Sequence, residues 1–367
     1  MSVGNKKEDP KRNYVLRNME QGMDSFQRGD FEKSKNAFDN ALDEIEAVWG
    51  DDAAARKARR MWNNEGCKNF KGEPYERVMA YYYRGLLYIM DGDLENARAC
   101  FRGGILQDSF SEEKQDQSDF ALLYYLEMWS DFQLGQKGKA NELKPFLKKI
   151  RKNQNLPQKK YNLLVIAETG HAPRKRRTGK GKYQLTFSRA SEHEDTKVEL
   201  KFSSFFPKKK IKLSPIEDIY WQASSRGGRP VDKILRNKVV FKEKWDEAGS
   251  AMTGLGLQSL GASAFTGGEN QDTAQIVAGG LTLLGLLSTA VASKVRPEAD
   301  IRQWRNLPDT VHIASAKCPP GKYSVQWKFS GKNRHKSIKR NVRIDKNNEF
   351  TLLWIRKPEF ILERPAE

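Results

Sequence analysis

The chain has 367 residues, enough for two or three separate cores, and its 38% hydrophobic and 10% aromatic content excludes a largely disordered polypeptide. Its 65 Lys and Arg against 47 Asp and Glu leave a net charge of +18, which favours anionic partners: nucleic acid, acidic lipid headgroups or anionic cell-wall polymers. Three widely spaced cysteines, Cys67, Cys100 and Cys318, with no Cys-x-x-Cys pair, indicate neither a disulfide framework nor a zinc site and allow at most one internal bridge. Residues 1–12 are polar and charged, without the apolar stretch of an export signal, and are expected to be flexible.

The strongest pattern in the next segment is an internal repeat. One copy places Gly22, Phe26, Gly29-Asp30-Phe31, Ser34, Phe38 and Ala41 in order; the other places Gly85, Ile89, Gly92-Asp93-Leu94, Ala97, Phe101 and Gly104 at the same spacing. A glycine on a first helix lets a second helix approach closely. The Gly-Asp turn ends the first helix and caps the second, and the aromatic residue fills the seam. This arrangement resembles the tetratricopeptide repeat. A degenerate third copy runs from Phe120 to Ile150, with Gly135 at its turn and Ala140 at the small position. The irregular spacing of the turns requires extra helices between copies, for instance Asp52 to Asn64. Such an array presents a concave surface to a protein partner, or serves as a spacer or oligomerisation module. Tyr81, Tyr82 and Tyr83 are consecutive, and neighbouring helical positions lie about 100° apart, so at least one is expected to face outward. Tyr81 and Tyr82 with Arg77, Arg84 and Tyr88 form the candidate groove cluster.

Beyond Lys160 the period changes. Tyr161 to Ala167, Tyr183 to Phe187, Val198 to Phe202, Ile219 to Ala223 and Val239 to Phe241 read as strands of an antiparallel β domain. A basic hairpin lies between the first two, carrying Arg174, Lys175, Arg176, Arg177, Lys180 and Lys182. It is either a solvated turn or an anion-binding site. A phosphate-loop reading fails, because Lys180 precedes Gly and a strand follows where a helix is needed.

Residues 248–296 are the most unusual: two apolar, Gly- and Ala-rich stretches flank a polar turn, and the second, Ala274 to Ser293, contains no charge. Small residues recur along it at Ala274, Ala278, Gly285 and Thr289, as where helix backbones touch. A membrane-associated helical hairpin and a hairpin packed on the β domain or on sister subunits both fit. From Thr310 to Leu362 a further β unit is expected, led by the alternating run Tyr323 to Phe329.

The expected fold class is α+β: tetratricopeptide-like helical repeats, then antiparallel β domain(s) with an inserted Gly/Ala-rich apolar helical hairpin. The divisions are 1–12, 13–160, 161–247, 248–296 and 297–367. Three stretches together resemble a family of poorly characterised bacterial cell-envelope proteins with such repeats, often lipoproteins. They are Glu73-Pro74-Tyr75-Glu76-Arg77 through Asp108, Asp218 to Ala223 with Arg226-Gly227-Gly228-Arg229, and Glu298 to Pro308 with Arg302 and Trp304. The resemblance implies a cell-envelope location and brings no activity. Members carry an export signal and a lipid-modified cysteine near the start, and neither is found in this sequence.

Four scattered histidines, His171, His193, His312 and His335, form no zinc-binding pair, and neither a Gly-x-Ser-x-Gly elbow nor a dinucleotide fingerprint is found. The expectation is a non-catalytic scaffold without cofactor or metal. It would bind a protein partner or sister subunits through its groove, and associate with a membrane or oligomer through its hairpin. The alternatives are a self-assembling structural subunit and, on charge alone, a nucleic-acid-binding protein; the latter lacks aromatics interleaved with its basic stretches.

Overall fold

The computed structural model describes residues 11–46, 69–109, 119–178, 184–189, 197–203, 209–224, 300–331, 335–344, 350–356 and 360–363. Helices α1 (Tyr14–Arg28), α2 (Phe31–Glu46), α3 (Pro74–Asp91), α4 (Leu94–Ser109), α5 (Ala121–Gln133) and α6 (Lys137–Ile150) precede the strands, and a short α7 (Ile219–Ser224) lies among them. The strands are β1 (Leu163–Thr169), β2 (Arg174–Thr178), β3 (Gln184–Ser188), β4 (Lys197–Phe202), β5 (Lys210–Asp218), β6 (Thr310–Ala316), β7 (Gly321–Ser330), β8 (His335–Ile344), β9 (Thr351–Arg356) and β10 (Phe360–Glu363).

The helices form hairpins whose turns follow from the repeated glycines. Gly29 and Gly92 sit in the left-handed region at φ +77° and +79°. In each, the following Asp donates its N–H back to the carbonyl five residues earlier, Asp30 to Ser25 and Asp93 to Tyr88, both at 2.9 Å. Gly135, at φ +73°, makes the third turn. The helix glycines permit close packing: a Cβ on Gly22 would lie 2.9 Å from the Phe38 ring, and one on Gly85 would lie 2.2 Å from that of Phe101.

Eight strands make one sheet in the order β10-β9-β1-β6-β5-β4-β7-β8, and β2 pairs with β3 in a separate ribbon. Seven of the eight, β9 through β8, curl into a nearly closed barrel. Its concave side holds a single apolar cluster that includes Val165, Leu353, Leu200, Trp327 and Val342, with the partly buried Ala314 and Ala316 of β6 packed against it. The convex side differs from one end to the other. Over β1, β6 and β9 it carries Leu164, Ile166, Val311, Ile313, Leu352 and Trp354, which share one core with the helices. Phe26 meets Trp354 edge-on at 5.1 Å, and Trp129 meets Phe350 at 5.0 Å.

These findings correct the expected fold class. The sheet is mixed: β9 runs parallel to β1, pairing Leu163 with Thr351 through Glu168 with Arg356. Strands from both expected β regions, 161–247 and 297–367, interleave in one sheet. The physical reason lies in β1, which is buried along its whole length on both faces; such a strand reads as an unbroken apolar run and accepts parallel neighbours. The helices are not an open array, since the sheet fills the side on which a concave groove was expected. Ile219 to Ala223, expected as a strand, belongs to α7, where the Asp218 carboxylate accepts the Trp221 N–H at 2.9 Å. No apolar hairpin is part of the described architecture; residues 248–296, with Ala274, Ala278, Gly285 and Thr289, lie outside the described residues. So do the expected helix Asp52 to Asn64 and the expected strand Val239 to Phe241. Among the described residues, no helix is long and apolar enough to cross a membrane.

Candidate anion-binding face

The sequence-derived candidates divide sharply on placement. Of the groove cluster, Tyr81, Tyr82 and Arg84 are buried and Arg77 and Tyr88 half-buried, because α3 is enclosed by its partner helices and by the sheet. Tyr82 and Tyr83 donate to Glu168 at 2.9 and 2.8 Å, and Tyr81 bonds Glu46 at 2.5 Å. Arg84 is buried, bonds Asp39 at 2.6 Å, and lies 3.7 Å above the half-buried Tyr88 ring. Arg77 bonds Gln107 at 3.1 Å and the Gly72 carbonyl at 2.9 Å. None of Tyr81, Tyr82 and Tyr83 faces outward as expected, because this helix has no outward side at that level.

Two of the stretches singled out in the sequence, Glu73 to Arg77 and Asp300 to Trp304, converge on one carboxylate. Glu76, fully buried in the first turn of α3, accepts the Trp304 backbone N–H at 2.7 Å and the Glu73 N–H at 2.6 Å, the latter completing a capping box. Lys175 sits 3.2 Å from the same carboxylate and donates to the Arg302 carbonyl at 2.7 Å. Burial pushes the Glu76 pKa up while the Lys175 ammonium pulls it down. Arg302 bridges Asp300 at 2.7 Å and the chain's start, at the Arg12 carbonyl and Asn13 side chain, both 2.9 Å. Trp304 is buried, its ring near Phe38 and Tyr83. The site therefore ties α3, the β2–β3 ribbon and the segment before β6 together.

Strand alternation splits the basic hairpin. Arg174 and Arg176 are exposed and Arg177 half-buried, whereas Lys175 points the opposite way into the pair just described. Lys180, Lys182, Arg226, Gly227, Gly228 and Arg229 lie outside the described residues.

Two further buried carboxylates also join elements. Glu168 accepts from Tyr82, Tyr83 and, at 3.1 Å, the Trp354 indole, with Arg356 at 3.5 Å. Burial raises its pKa, and burial with the nearby Glu168 charge keeps both tyrosine hydroxyls protonated as donors. Glu217 accepts from the Leu122 N–H at the start of α5 at 3.2 Å and from Gln222 at 2.9 Å, with Arg151 at 3.5 Å; burial pushes its pKa up to about 8. Among the described residues, no group of three or more His, Cys, Asp or Glu is placed to hold a metal ion.

The surface that sequence reasoning missed is the other end of the convex sheet face, over β5, β4, β7 and β8. In β7 the residues Tyr323, Val325, Trp327 and Phe329 point into the barrel, so Lys322, Ser324, Gln326, Lys328 and Ser330 point out. Register carries the same face across its neighbours. Lys201 pairs with Lys210 and with Gln326, and Gln326 pairs with Lys339. Glu199 pairs with Lys212 and with Lys328, Lys197 with Ser330, and Lys322 with Arg343. Eight basic residues and one acid, Glu199, thus occupy these outward positions, and Glu199 bonds Lys210 at 2.6 Å. The close approach of the Lys328 ammonium lowers the Lys201 pKa. The detectable signal was a polar and often basic residue at every second position of strands whose other positions are largely apolar, a pattern that reads locally as ordinary half-buried strand.

No family of known proteins matches the chain, and neither a curated protein nor a solved structure is similar to it.

Proposed function

We propose that this chain is a non-catalytic scaffold of the cell envelope that holds an anionic partner against the basic half of its sheet. The observation that supports this reading is the division of one convex face. At one end it is apolar and covered by helices; at the other it carries eight basic side chains and one acid. Packing has no use for such clustering, since like charges directly opposite in a sheet, as in Lys201 with Lys210, destabilise it. A partner that neutralises them removes that cost. The three buried carboxylates clamp the helices to the other end of the sheet. The envelope location rests on the resemblance carried by Glu73 through Asp108, Asp218 to Ala223 with Arg226 to Arg229, and Glu298 to Pro308.

The test is retention on a polyacrylate matrix under a salt gradient, comparing Lys201→Glu/Lys328→Glu on the face with Arg174→Glu/Arg176→Glu on the ribbon. Both variants change net charge equally. The face variant is expected to elute at clearly lower salt than the ribbon variant. Equal shifts would mean that only net charge matters, and the proposed face would be wrong.

A further inference from the structure

The shape and chemistry of the face narrow its partner, provided that the face is the binding surface proposed above. Strands lie about 4.8 Å apart and same-face residues about 6.8 Å apart along each strand, so the charges form a shallow grid roughly 14 Å wide across four strands. On the convex side of a curled sheet the grid as a whole spreads outward and only neighbouring groups such as Lys201 and Lys328 come together, whereas a small anion needs several converging donors. Seven of the eight cations are lysines, which act as mobile point charges; the planar fork that reads one phosphate or carboxylate bidentately belongs to arginine. Neutral hydrogen-bonding side chains, Ser324, Gln326 and Asn341, are interspersed at outward positions. No aromatic or aliphatic residue stands among the outward positions of β4, β7 and the described exposed part of β5.

Each feature removes a class of partner. Without aromatics the face has no platform on which unpaired bases could stack. Without apolar side chains it has nothing to insert into a bilayer interface, and a convex surface meets a flat membrane only along its crest. A flexible chain can follow the curve and reach the whole grid. Its hydroxyls would meet the serine, glutamine and asparagine side chains, while its anionic groups meet the lysines. We infer that the basic half of the sheet binds a flexible acidic polysaccharide.

The experiment is fluorescence anisotropy of the purified full chain with labelled polygalacturonate and dextran sulfate, in parallel with neutral dextran, phosphatidylglycerol vesicles and a thirty-residue oligothymidylate. Both acidic polysaccharides are expected to bind, more tightly with length and less tightly with salt, and neutral dextran is not. Lys201→Glu/Lys328→Glu should weaken polysaccharide binding on the order of tenfold or more; Lys212→Glu/Lys339→Glu serves as a second pair, and circular dichroism checks folding. Ser324→Ala/Gln326→Ala/Asn341→Ala keeps every charge. It should weaken polysaccharide binding severalfold and leave vesicle and oligothymidylate binding unchanged. If vesicles or oligothymidylate bind as tightly as the polysaccharides, or the neutral triple variant changes nothing, the polysaccharide assignment is overturned while the anionic face stands. If none of the polyanions binds, or charge reversal has no effect, both readings fall.

Discussion

At the scale of single residues, the buried carboxylates determine how this protein responds to pH. Glu217 is enclosed, and its strongest influence is desolvation, which disfavours the charged form; Arg151, Gln222 and the Leu122 N–H oppose it only in part. Its pKa is about 8 in the folded chain against 4.5 in the unfolded one. The folded state therefore holds a proton that the unfolded state releases. The resulting stability is fully present below about pH 4.5 and is lost as pH rises through about 8. Over that window one such group contributes a slope of up to about 1.4 kcal/mol per pH unit. Glu76 and Glu168, also raised by burial, act in the same direction, so the test must isolate Glu217. Urea midpoints of the wild type should fall from about pH 5 to 8, and those of Glu217→Gln should fall less steeply. Parallel curves would show that Glu217 is already ionised when folded. None of this was legible in the sequence. A glutamate beside an aspartate in a charged strand gives no sign that a β-bulge between Pro215 and Glu217 turns it inward.

At the scale of elements, the repeated glycines were legible and for a definite reason. A left-handed turn and a close helix approach each demand a residue without a side chain, so Gly22, Gly85, Gly29 and Gly92 carry their structure in their identity. Gly85→Ala should therefore cost about 1–3 kcal/mol through overpacking against Phe101, measured by urea unfolding. Adding Phe101→Leu should recover part of that loss. If the two changes were additive, the contact would not be the cause. What the helices pack against was not legible. The repeat pattern specifies a hairpin, not its surroundings, and Tyr81 to Tyr83 look the same whether they line a groove or a core. The enclosing surface comes from β1 and β9, about 80 and 270 residues away in the chain by simple count, and periodicity does not report such distant pairings. The basic face escaped notice for a related reason: each strand showed its alternation, but only the register of four strands brings the lysines into one grid.

At the scale of the whole molecule, the division between helical and β regions seen in the sequence is one of chain order and not of cores. A single apolar cluster runs from Val15 in α1 through α3 and α5 to Leu164, Ile313 and Trp354 in the sheet. Each of the three buried carboxylates joins the helical part to the strand-forming part: Glu76 to Lys175 and Trp304, Glu168 to Tyr82 and Tyr83, Glu217 to Leu122. Separating the two parts would expose the apolar face of the sheet and leave these groups without partners. An unpaired buried polar group costs about 1–3 kcal/mol, and each large apolar side chain returned to water about 1.5–3 kcal/mol. Those sums exceed the stability of an ordinary domain. The described helices and sheet are therefore expected to unfold together, with far-ultraviolet circular dichroism and tryptophan fluorescence giving one coincident urea transition. Residues 13–160 produced alone should show no cooperative transition, because α3 and α5 would present their buried faces to solvent. A fragment that unfolded sharply, with the midpoint of the whole chain, would mean that the helices hold their own core and that the sheet merely rests against them.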